Sequence, residues 1–294
     1  MKFNNAKLKA ALQAVRLERL FQDFADEAIG DDVLDTITEV DLEKLGVLKL
    51  GDRKRLLALF KKMVISLPDK ASMVEVHGGE LPMDSELKGT IVKTFLIGRF
   101  PVTQEEWEWV RLWGVSNGYE LGHGQAVGSA QPITQVNWYD AVKWCNAKSE
   151  HEGFSPTYAC EQVVYRKGEF GPSGSKSITH NPMADGYRLP SEAEWEWAAR
   201  GGILAQNQQL DPYDDNEISL SKKILDPFYN ELGIYNMTSN VWEWCWDSDD
   251  SQGAHRIRSS SWSESNGKKT VHARVSRSPD SRLSILGFRV ARNA

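Results

Sequence analysis

Residues 186–202 read GYRLPSEAEWEWAARGG, a stretch that predicts a short capped helix ending at two glycines. Ser191 and Glu194 have the spacing of a capping box, in which side chains satisfy two helix-terminal N–H groups reciprocally. Three inward-facing residues follow at the spacing of one helical face: Trp195, Ala198 and Ala199. Gly201 and Gly202 would end the helix, because glycine readily adopts the left-handed conformation found at helix C-termini.

Other elements are predicted on the N-terminal side of this helix. Thr103 to Glu106 has the capping-box pattern and opens a helix through Trp107 and Val110. Asn137 can cap another helix, whose apolar stripe consists of Trp138, Ala141, Val142 and Cys145. Strands are expected at residues 73–76 and 91–97, around a glycine-containing turn.

The composition of the whole chain bounds the class of protein. The chain has 294 residues, a net charge of −6, 40% hydrophobic and 26% charged residues, which is typical of a globular protein. No apolar run reaches the roughly 18 residues that a membrane-spanning helix needs. The N-terminus lacks the pattern of a secretion signal, and the three cysteines form no CxxC pair. These features predict a cytoplasmic protein without membrane contact.

Aromatic residues divide the chain into two parts. All 11 Trp lie between Trp107 and Trp262, whereas the first 70 residues contain phenylalanine as their only aromatic type. Residues 67–72, which include Pro68, are the expected linker, since proline disfavours helix in the residue before it. We therefore predict one domain over residues 1–67 and another over residues 73–294.

The first domain has a helical pattern. Leu17, Leu20, Phe21 and Phe24 recur at helical spacing, and a second apolar face consists of Leu56, Leu57, Leu59 and Phe60. Thr38 and Asp41 are expected to cap a helix that stops at Gly46. Asp52 is expected as the N-cap of the final helix.

Three segments of this domain resemble the sterile alpha motif (SAM) domain: LERLFQDFADEAI (17–29), TITEVDLEKLGV (36–47) and KLGDRKRLLALF (49–60). The resemblance implies a small all-α five-helix bundle that associates with a protein partner or with copies of itself. A minority of such domains bind RNA. The basic run Arg53-Lys54-Arg55 is interpreted as a solvated helix face.

The second domain resembles a different family through six segments in the same order: FPVTQEEW (100–107), PITQVNWYDAVKWCN (132–146), GYRLPSEAEWEWAARGG (186–202), GIYNMTSNVWEW (233–244), RSSSW (258–262) and GFRVAR (287–292). These segments look like the formylglycine-generating sulfatase-modifying domain, a variant of the C-type lectin fold. The resemblance implies an α+β fold with two helices, a small twisted sheet and much irregular backbone. Most tryptophans would then pack in the core.

The family that the second domain resembles includes enzymes, so the positions of their catalytic residues are compared with this sequence. Two copper-binding cysteines of the formylglycine-generating enzyme would fall near Glu264 and Lys269, and neither can replace a thiolate on copper. Cys145 lies on a helix stripe, Cys245 within a strand and Cys160 in a loop, so inert thiols are expected. The six histidines show no iron-binding spacing. We predict no catalytic residues, no copper and no iron.

A structural calcium site is implied by the same resemblance. Its ligands would be the Asn236 side chain, the Ser239 and Val241 carbonyls and the Glu243 carboxylate, which are hard oxygen donors suited to calcium. In the alternative interpretation, Glu243 pairs with an arginine and Asn236 only caps a turn.

The C-terminal segment is strongly basic. From His255 onward, nine Lys or Arg face only Glu264 and Asp280, which gives 9 − 2 = +7, against −6 − 7 = −13 for the rest of the chain. Such charge is compatible with nucleic-acid binding. Most of these arginines occupy framework positions of the family, however, so pairing with buried acids is favoured over a nucleic-acid partner.

Ten residues near the C-terminus form a predicted ligand surface: Ser263, Glu264, Ser265, Asn266, Ser276, Ser278, Ser281, Leu283, Ser284 and Ile285. Their pattern, followed by Gly287-Phe288-Arg289, resembles the variable proteins of diversity-generating retroelements. In those systems an error-prone reverse transcriptase rewrites asparagine codons of a C-terminal lectin-type segment, here residues 255–292. The resemblance implies a diversified surface for a protein ligand.

In residues 255–292, the side chains of the ligand surface are expected to be exposed and those of the framework to be buried. Leu283 and Ile285, if exposed, would mark the apolar centre of the surface, and otherwise they point inward as an ordinary strand. Five framework residues are expected to be buried: Arg258, Trp262, Gly287, Phe288 and Arg289. The favoured interpretation is a non-catalytic binding protein. An oxidoreductase of the formylglycine-generating type and a non-diversified signalling scaffold are the alternatives.

Overall fold

The structure is a computed structural model. It describes residues 6–27, 29, 34, 37–64, 73–126, 128, 131–170, 177–205, 229–249, 253–259 and 271–294. The chain forms two compact units, which divide between Lys70 and Ala71. The predicted linker, residues 67–72, lies outside the described residues.

The first unit has five helical segments among its described residues. They are α1 (Ala6–Ala14), a 3₁₀ turn (Glu18–Leu20), α2 (Phe21–Asp26), α3 (Glu39–Lys44) and α4 (Leu50–Val64). Phe24 and Phe60 lie at the centre of this unit and meet edge to face, with ring centroids 6.3 Å apart. The predicted capping box of Thr38 and Asp41 is confirmed, because both reciprocal hydrogen bonds are present.

Two predictions for α4 were wrong. Asp52 is not the N-cap, because the helix begins at Leu50 and places Asp52 in its first turn. Arg53 is not solvated either: it is buried, and its Nη1 donates to the carbonyls of Val47 and Leu48 at 3.0 and 2.9 Å. The guanidinium closes the loop before α4 by satisfying carbonyls that would otherwise lack partners.

The second unit has three α-helices in the part that the structure covers: α5 (Gln104–Ser116), α6 (Trp138–His151) and α7 (Glu192–Ala199). The predicted N-cap Asn137 of α6 and the predicted capping box of Ser191 and Glu194 in α7 are confirmed, and Asp140 completes a capping box with Asn137. Gly201 and Gly202 follow α7 with φ of 83° and 60°, as the helix stop requires. None of the described helices is both long and apolar enough to cross a membrane.

The strands of the second unit are β1 (Met73–Val76), β2 (Gly79–Glu80), β3 (Ile91–Val92), β4 (Phe95–Gly98), β5 (Tyr158–Cys160), β6 (Val163–Val164), β7 (Ile178–His180), β8 (Trp242–Asp249), β9 (Ala254–Arg258), β10 (Arg274–Arg277), β11 (Leu286–Gly287) and β12 (Ala291–Asn293). The described strands form sheets in the orders β1-β4-β12, β10-β9-β8-β11, β2-β3 and β6-β5-β7. All pairs are antiparallel except β8–β11.

Two strand predictions need correction. The expected strand over 91–97 is divided into β3 and β4 at Lys93-Thr94, and Cys160 lies in β5 and not in a loop. In both cases the pairing partner decides the assignment: β3 pairs with β2, β4 with β1, and Cys160 faces Val163 and Ile178.

The core lies around α6, where Trp144 stacks on Trp107 with centroids 6.0 Å apart. Phe288 meets both rings edge to face. All ten tryptophans that the structure describes are buried or pack against the core. This confirms that tryptophan serves mainly as packing here, whereas Trp262 lies outside the described residues.

Candidate functional site

The two thiols on α6 and β8 are unsuited to metal or redox chemistry. Cys145 and Cys245 are fully buried, and burial raises the pKa of both well above the ordinary value of a thiol. They therefore stay protonated at neutral pH, whereas a copper ligand must be a thiolate. Cys160 is half-buried on β5. Glu264 and Lys269, the positions aligned with the copper cysteines, lie outside the described residues.

Several arginines of the basic C-terminal segment pair with carboxylates of α7 and β8. Arg258 is fully buried, and its Nη1 and Nη2 donate to Glu192 and Glu196, each at 2.9 Å. Arg274 also reaches Glu192, at 2.7 Å. Arg256 pairs with Asp249 at 3.1 Å. The prediction that these arginines pair with acids is confirmed, and a free basic surface is not formed by them.

The expected framework around this network is also confirmed. Phe288 and Arg289 are fully buried, like Arg258. Gly287 is buried where a Cβ atom would lie 2.3 Å from the Ile133 carbonyl oxygen. Only glycine allows that approach, because such a separation is far below van der Waals contact.

The predicted calcium ligands lie in the turn before β8. Asn236 is nearly fully buried with φ of 60°, and its Oδ1 accepts no hydrogen bond. The Ser239 carbonyl lies in the same turn and accepts from Val241 N at 3.1 Å. An amide oxygen that lacks a partner among the described residues is a donor type that suits a hard cation.

Glu243, the fourth predicted ligand, is engaged elsewhere. Its Oε1 accepts from Arg289 at 2.7 Å, and its Oε2 accepts from Arg289 and Trp195 at 2.6 and 2.7 Å. This is the arginine pairing that the sequence left as the alternative. Calcium binding at the remaining oxygens stays a prediction.

The loop of residues 278–285, which joins β10 to β11, carries most of the described candidate residues and is fixed through its backbone. Trp138 N donates to the Pro279 carbonyl at 3.0 Å, Gln135 N to that of Leu283 at 3.0 Å, and Trp242 N to that of Ile285 at 2.8 Å. Ser281 N closes a turn onto the Ser278 carbonyl. The three bonds from outside the loop are accepted by main-chain carbonyls, which every amino acid possesses.

The six described candidates differ in exposure. Ser284 is exposed, whereas Ser276, Ser278, Ser281, Leu283 and Ile285 are half-buried. Leu283 and Ile285 pack against the core around α6, so they do not form an exposed apolar centre. Four candidates lie outside the described residues: Ser263, Glu264, Ser265 and Asn266.

Ser276 is better assigned to the framework than to the ligand surface. Its hydroxyl accepts from Arg256 at 2.6 Å and donates to Asp249 at 3.0 Å. The side chain thus bridges an ion pair on β8–β10, and replacing it would leave polar groups unsatisfied.

Arg282 anchors the same loop through its side chain. It donates to Asp140, a buried carboxylate in the first turn of α6, and to Glu169 at 2.5 Å. These carboxylates raise the pKa of Arg282, which remains charged at every physiological pH. Its positive charge is balanced within the protein.

Two residues next to the loop were missed from the sequence. Gln135 contacts Arg282 and Leu283, and Gln125 contacts Gln135, although both precede the C-terminal segment. No sequence signal marks them as site residues, because their position depends on a backbone contact between distant parts of the chain.

The comparisons with known proteins agree with this architecture. The family model for the sulfatase-modifying factor enzyme 1-like domain matches residues 62–294, and the chain belongs to that family. The SAM domain model matches residues 8–63, and the resemblance stated from the sequence is confirmed. The fold is therefore a SAM domain followed by a domain of the C-type lectin-like formylglycine-generating type.

Three relatives illustrate the range of the family. Chaperone protein LppX of Paenibacillus barcinonensis is 31% identical over 60% of this chain and 71% of its own length. The inactive Cα-formylglycine-generating enzyme 2 of Bos taurus is 32% identical over 37% of this chain, which spans 45% of that relative. The solved structure of Treponema denticola variable protein 1 is 28% identical, covers 76% of this chain and 95% of its own, and has a TM-score of 0.58.

Proposed function

We propose that this protein is a non-catalytic ligand-binding protein whose diversified surface is carried by the C-terminal segment. The observation that carries the proposal is the way in which residues 278–285 are held. Three N–H groups from outside the loop bind loop carbonyls, and Arg282, Leu283 and Ile285 add side-chain anchors, so the loop's conformation does not depend on which side chain stands at 284, an exposed position. Binding residues commonly lie on loops that a rigid scaffold positions.

The relatives support this proposal in two ways. One solved relative is described as a variable protein, and another relative is described as an inactive enzyme. The buried thiols of Cys145 and Cys245 supply no thiolate for oxidative chemistry. An oxidoreductase of the formylglycine-generating type would need ligands other than these two thiols.

The SAM domain is proposed to act as a protein-interaction adaptor. Three apolar side chains near α3 and the start of α4 are exposed: Val40 by 59%, Leu48 by 80% and Leu50 by 50%. Exposed apolar residues that lie together are a feature of interaction surfaces. A protein partner or a second copy of this chain would cover them.

Calcium is proposed to bind the turn at residues 236–241. Support comes from the buried Asn236 Oδ1, which has no hydrogen-bond partner among the described residues. A bound ion would fix this turn without taking part in chemistry.

Sequencing of the coding segment for residues 255–292 across cells of one population tests the diversification. We expect substitutions at codons 278, 281 and 284, confined to template adenines, and a reverse-transcriptase gene nearby. Codons 258, 287, 288 and 289 should stay constant, because their residues are buried. An invariant segment with no adenine-differing copy in the genome would refute diversification and favour the signalling scaffold.

A further inference from the structure

Gln125 and Gln135 lie on a short segment that is tied to the loop of residues 278–285. Gln135 N donates to the Leu283 carbonyl at 3.0 Å, and the Gln135 carbonyl accepts from Arg282 at 3.5 Å. Gln125 and Thr134 exchange two backbone hydrogen bonds of 2.8 Å, which places Gln125 next to Gln135. Gln135 thus contacts the loop directly and Gln125 lies next to Gln135, although both residues precede the C-terminal segment in the sequence.

The side chains of these glutamines form an exposed amide pair. Gln135 Nε2 donates to Gln125 Oε1 at 2.7 Å. This bond leaves the Gln125 Nε2 group and the Gln135 side-chain Oε1 without a further partner in the described part of the chain. Exchanging oxygen and nitrogen in both amides still presents one NH₂ group and one carbonyl oxygen, since each amide carries both.

Neither amide carries a charge, and Arg282, which donates to the Gln135 main-chain carbonyl, is itself paired with Asp140 and Glu169. The amide pair therefore offers hydrogen bonds to a ligand and adds no charge of its own. An N–H donor and a C=O acceptor side by side are complementary to a peptide group, which offers the same two functions.

We infer that Gln125 and Gln135 are ligand contacts, and that they bind the main chain of an extended polypeptide segment. The inference rests on the proposed function of the neighbouring loop. Every polypeptide has the same main chain, so the amide pair provides a contact that does not depend on ligand sequence. The side chains at 278, 281 and 284 then provide specificity.

A display library of the full chain, randomised at 278, 281 and 284, tests the inference. The library is selected against a short biotinylated peptide rich in threonine and valine, residues that favour extended backbone. In the selected binder, Gln125→Ala with Gln135→Asn should weaken affinity about tenfold, the effect of losing one hydrogen bond of ordinary net strength. Asparagine is chosen at 135 because φ there is 55°, which it tolerates.

Met183→Ala is the matched control, because Met183 is 87% exposed and lies on another part of the surface. It should leave affinity unchanged. Melting curves of each variant identify loss of folding, and Gln125→Ala alone carries the test if the double variant melts early.

N-methylation of single peptide amides separates main-chain binding from side-chain binding. Methylation at one position should weaken binding to the selected binder and have no further effect on the double glutamine variant. Equal effects on both proteins, or unchanged affinity of the glutamine variants, would overturn the inference and leave the proposed function intact. A well-folded library that yields no binders would instead refute the proposed function.

Discussion

Arg258 shows how a single buried arginine supports the irregular backbone of the second unit. It lies between Glu192 and Glu196 on α7 and also donates to the Val271 carbonyl. Its guanidinium therefore joins β9 to α7 and to the segment that precedes β10. Removing one partner of such a network leaves charges buried without compensation.

Arg258→Met should lower the free energy of unfolding by about 3 kcal/mol, the lower end of the cost of breaking a buried ion pair, because Glu192 and Glu196 would lose one cationic partner each but keep Arg274 and Arg200. Denaturant titration of the full chain measures the change. Arg277→Met is the matched control, since Arg277 is exposed on the neighbouring strand, and it should change stability by less than about 0.5 kcal/mol. Equal effects of the two substitutions would contradict the structural role of Arg258.

Asn236 allows the calcium proposal to be tested without disturbing Glu243. A ligand bound only to the folded state adds about 2.7 kcal/mol of stability at a hundredfold excess over Kd. Chelator should therefore lower the melting temperature of the wild-type chain. Asn236→Gly should abolish that difference, because it removes Oδ1 while glycine accepts the φ of 60°. The proposal fails if metal-free wild-type protein melts identically with and without calcium.

The loop of residues 278–285 illustrates what a fixed backbone does at the scale of an element. Its carbonyls are bound by Gln135, Trp138 and Trp242. Leu283 and Ile285 attach it to the core, Arg282 binds Asp140 and Glu169, and Ser284 is exposed. Under the proposed function, the backbone carbonyls fix the conformation of the loop, and its exposed side chains contact the ligand.

Substituting Ser263, Ser278, Ser281 and Ser284 together by glutamine should change binding of a ligand but lower stability by less than about 1 kcal/mol in total. Ser276→Gln is the informative comparison. It should cost more by itself, because Ser276 bridges Arg256 and Asp249. Thermal unfolding of both variants gives the answer, and loss of folding in the quadruple variant would defeat the assignment of these serines to the surface.

His255 links β9 to α6 and makes stability depend on pH. It stacks on Trp138 with ring centroids 3.8 Å apart, and burial lowers its pKa to about 4. The unfolded chain therefore takes up the proton at higher pH than the folded chain. Stability is fully present above the ordinary histidine pKa of about 6.5 and falls as pH drops towards 4.

His255→Phe should keep the stacking and reduce this pH dependence. Denaturant midpoints at several pH values between 7 and 4 measure it in both proteins. His180, whose pKa is also lowered by burial, is present in both proteins and cancels in the comparison. Parallel pH profiles for the two proteins would show that His255 does not titrate with unfolding.

At the scale of the whole molecule, a SAM domain and a domain of the formylglycine-generating type share one chain. The SAM domain exposes Leu48 and Leu50 next to Lys49, and this apolar surface motivates the proposal of self-association or docking. A chain that associates through its first unit would present several copies of its binding surface at once, which raises avidity without any new contact.

Sedimentation of the full chain over a concentration series should show the average mass rising with concentration. Leu48→Glu should reduce the rise, because a charge on an apolar contact surface must be desolvated. Met83→Glu is the control, since Met83 is 81% exposed but belongs to the second unit. A wild-type chain that stays monomeric throughout would contradict self-association and leave a different protein partner to be sought.

Local signals in the sequence were sufficient for the helices. The caps at Thr38, Asn137 and Ser191 were predicted because each depends on residues within one turn. Non-local contacts were not predictable in the same way. Arg53, Cys160 and Ser276 were misassigned, because loop carbonyls, a strand partner and an ion pair decide their environments.

The sequence by itself determined the family, the two-domain order, the caps and the buried framework of Arg258, Phe288 and Arg289. It could do so because helix caps, hydrophobic periodicity and long motifs depend on residues that are close together in the sequence. Tertiary structure alone decided that Glu243 binds Arg289, that Leu283 and Ile285 face the core, and that Gln125 and Gln135 border the loop. Contacts such as Arg258 to Glu192 join residues 66 positions apart, and only the packing of the whole chain selects them.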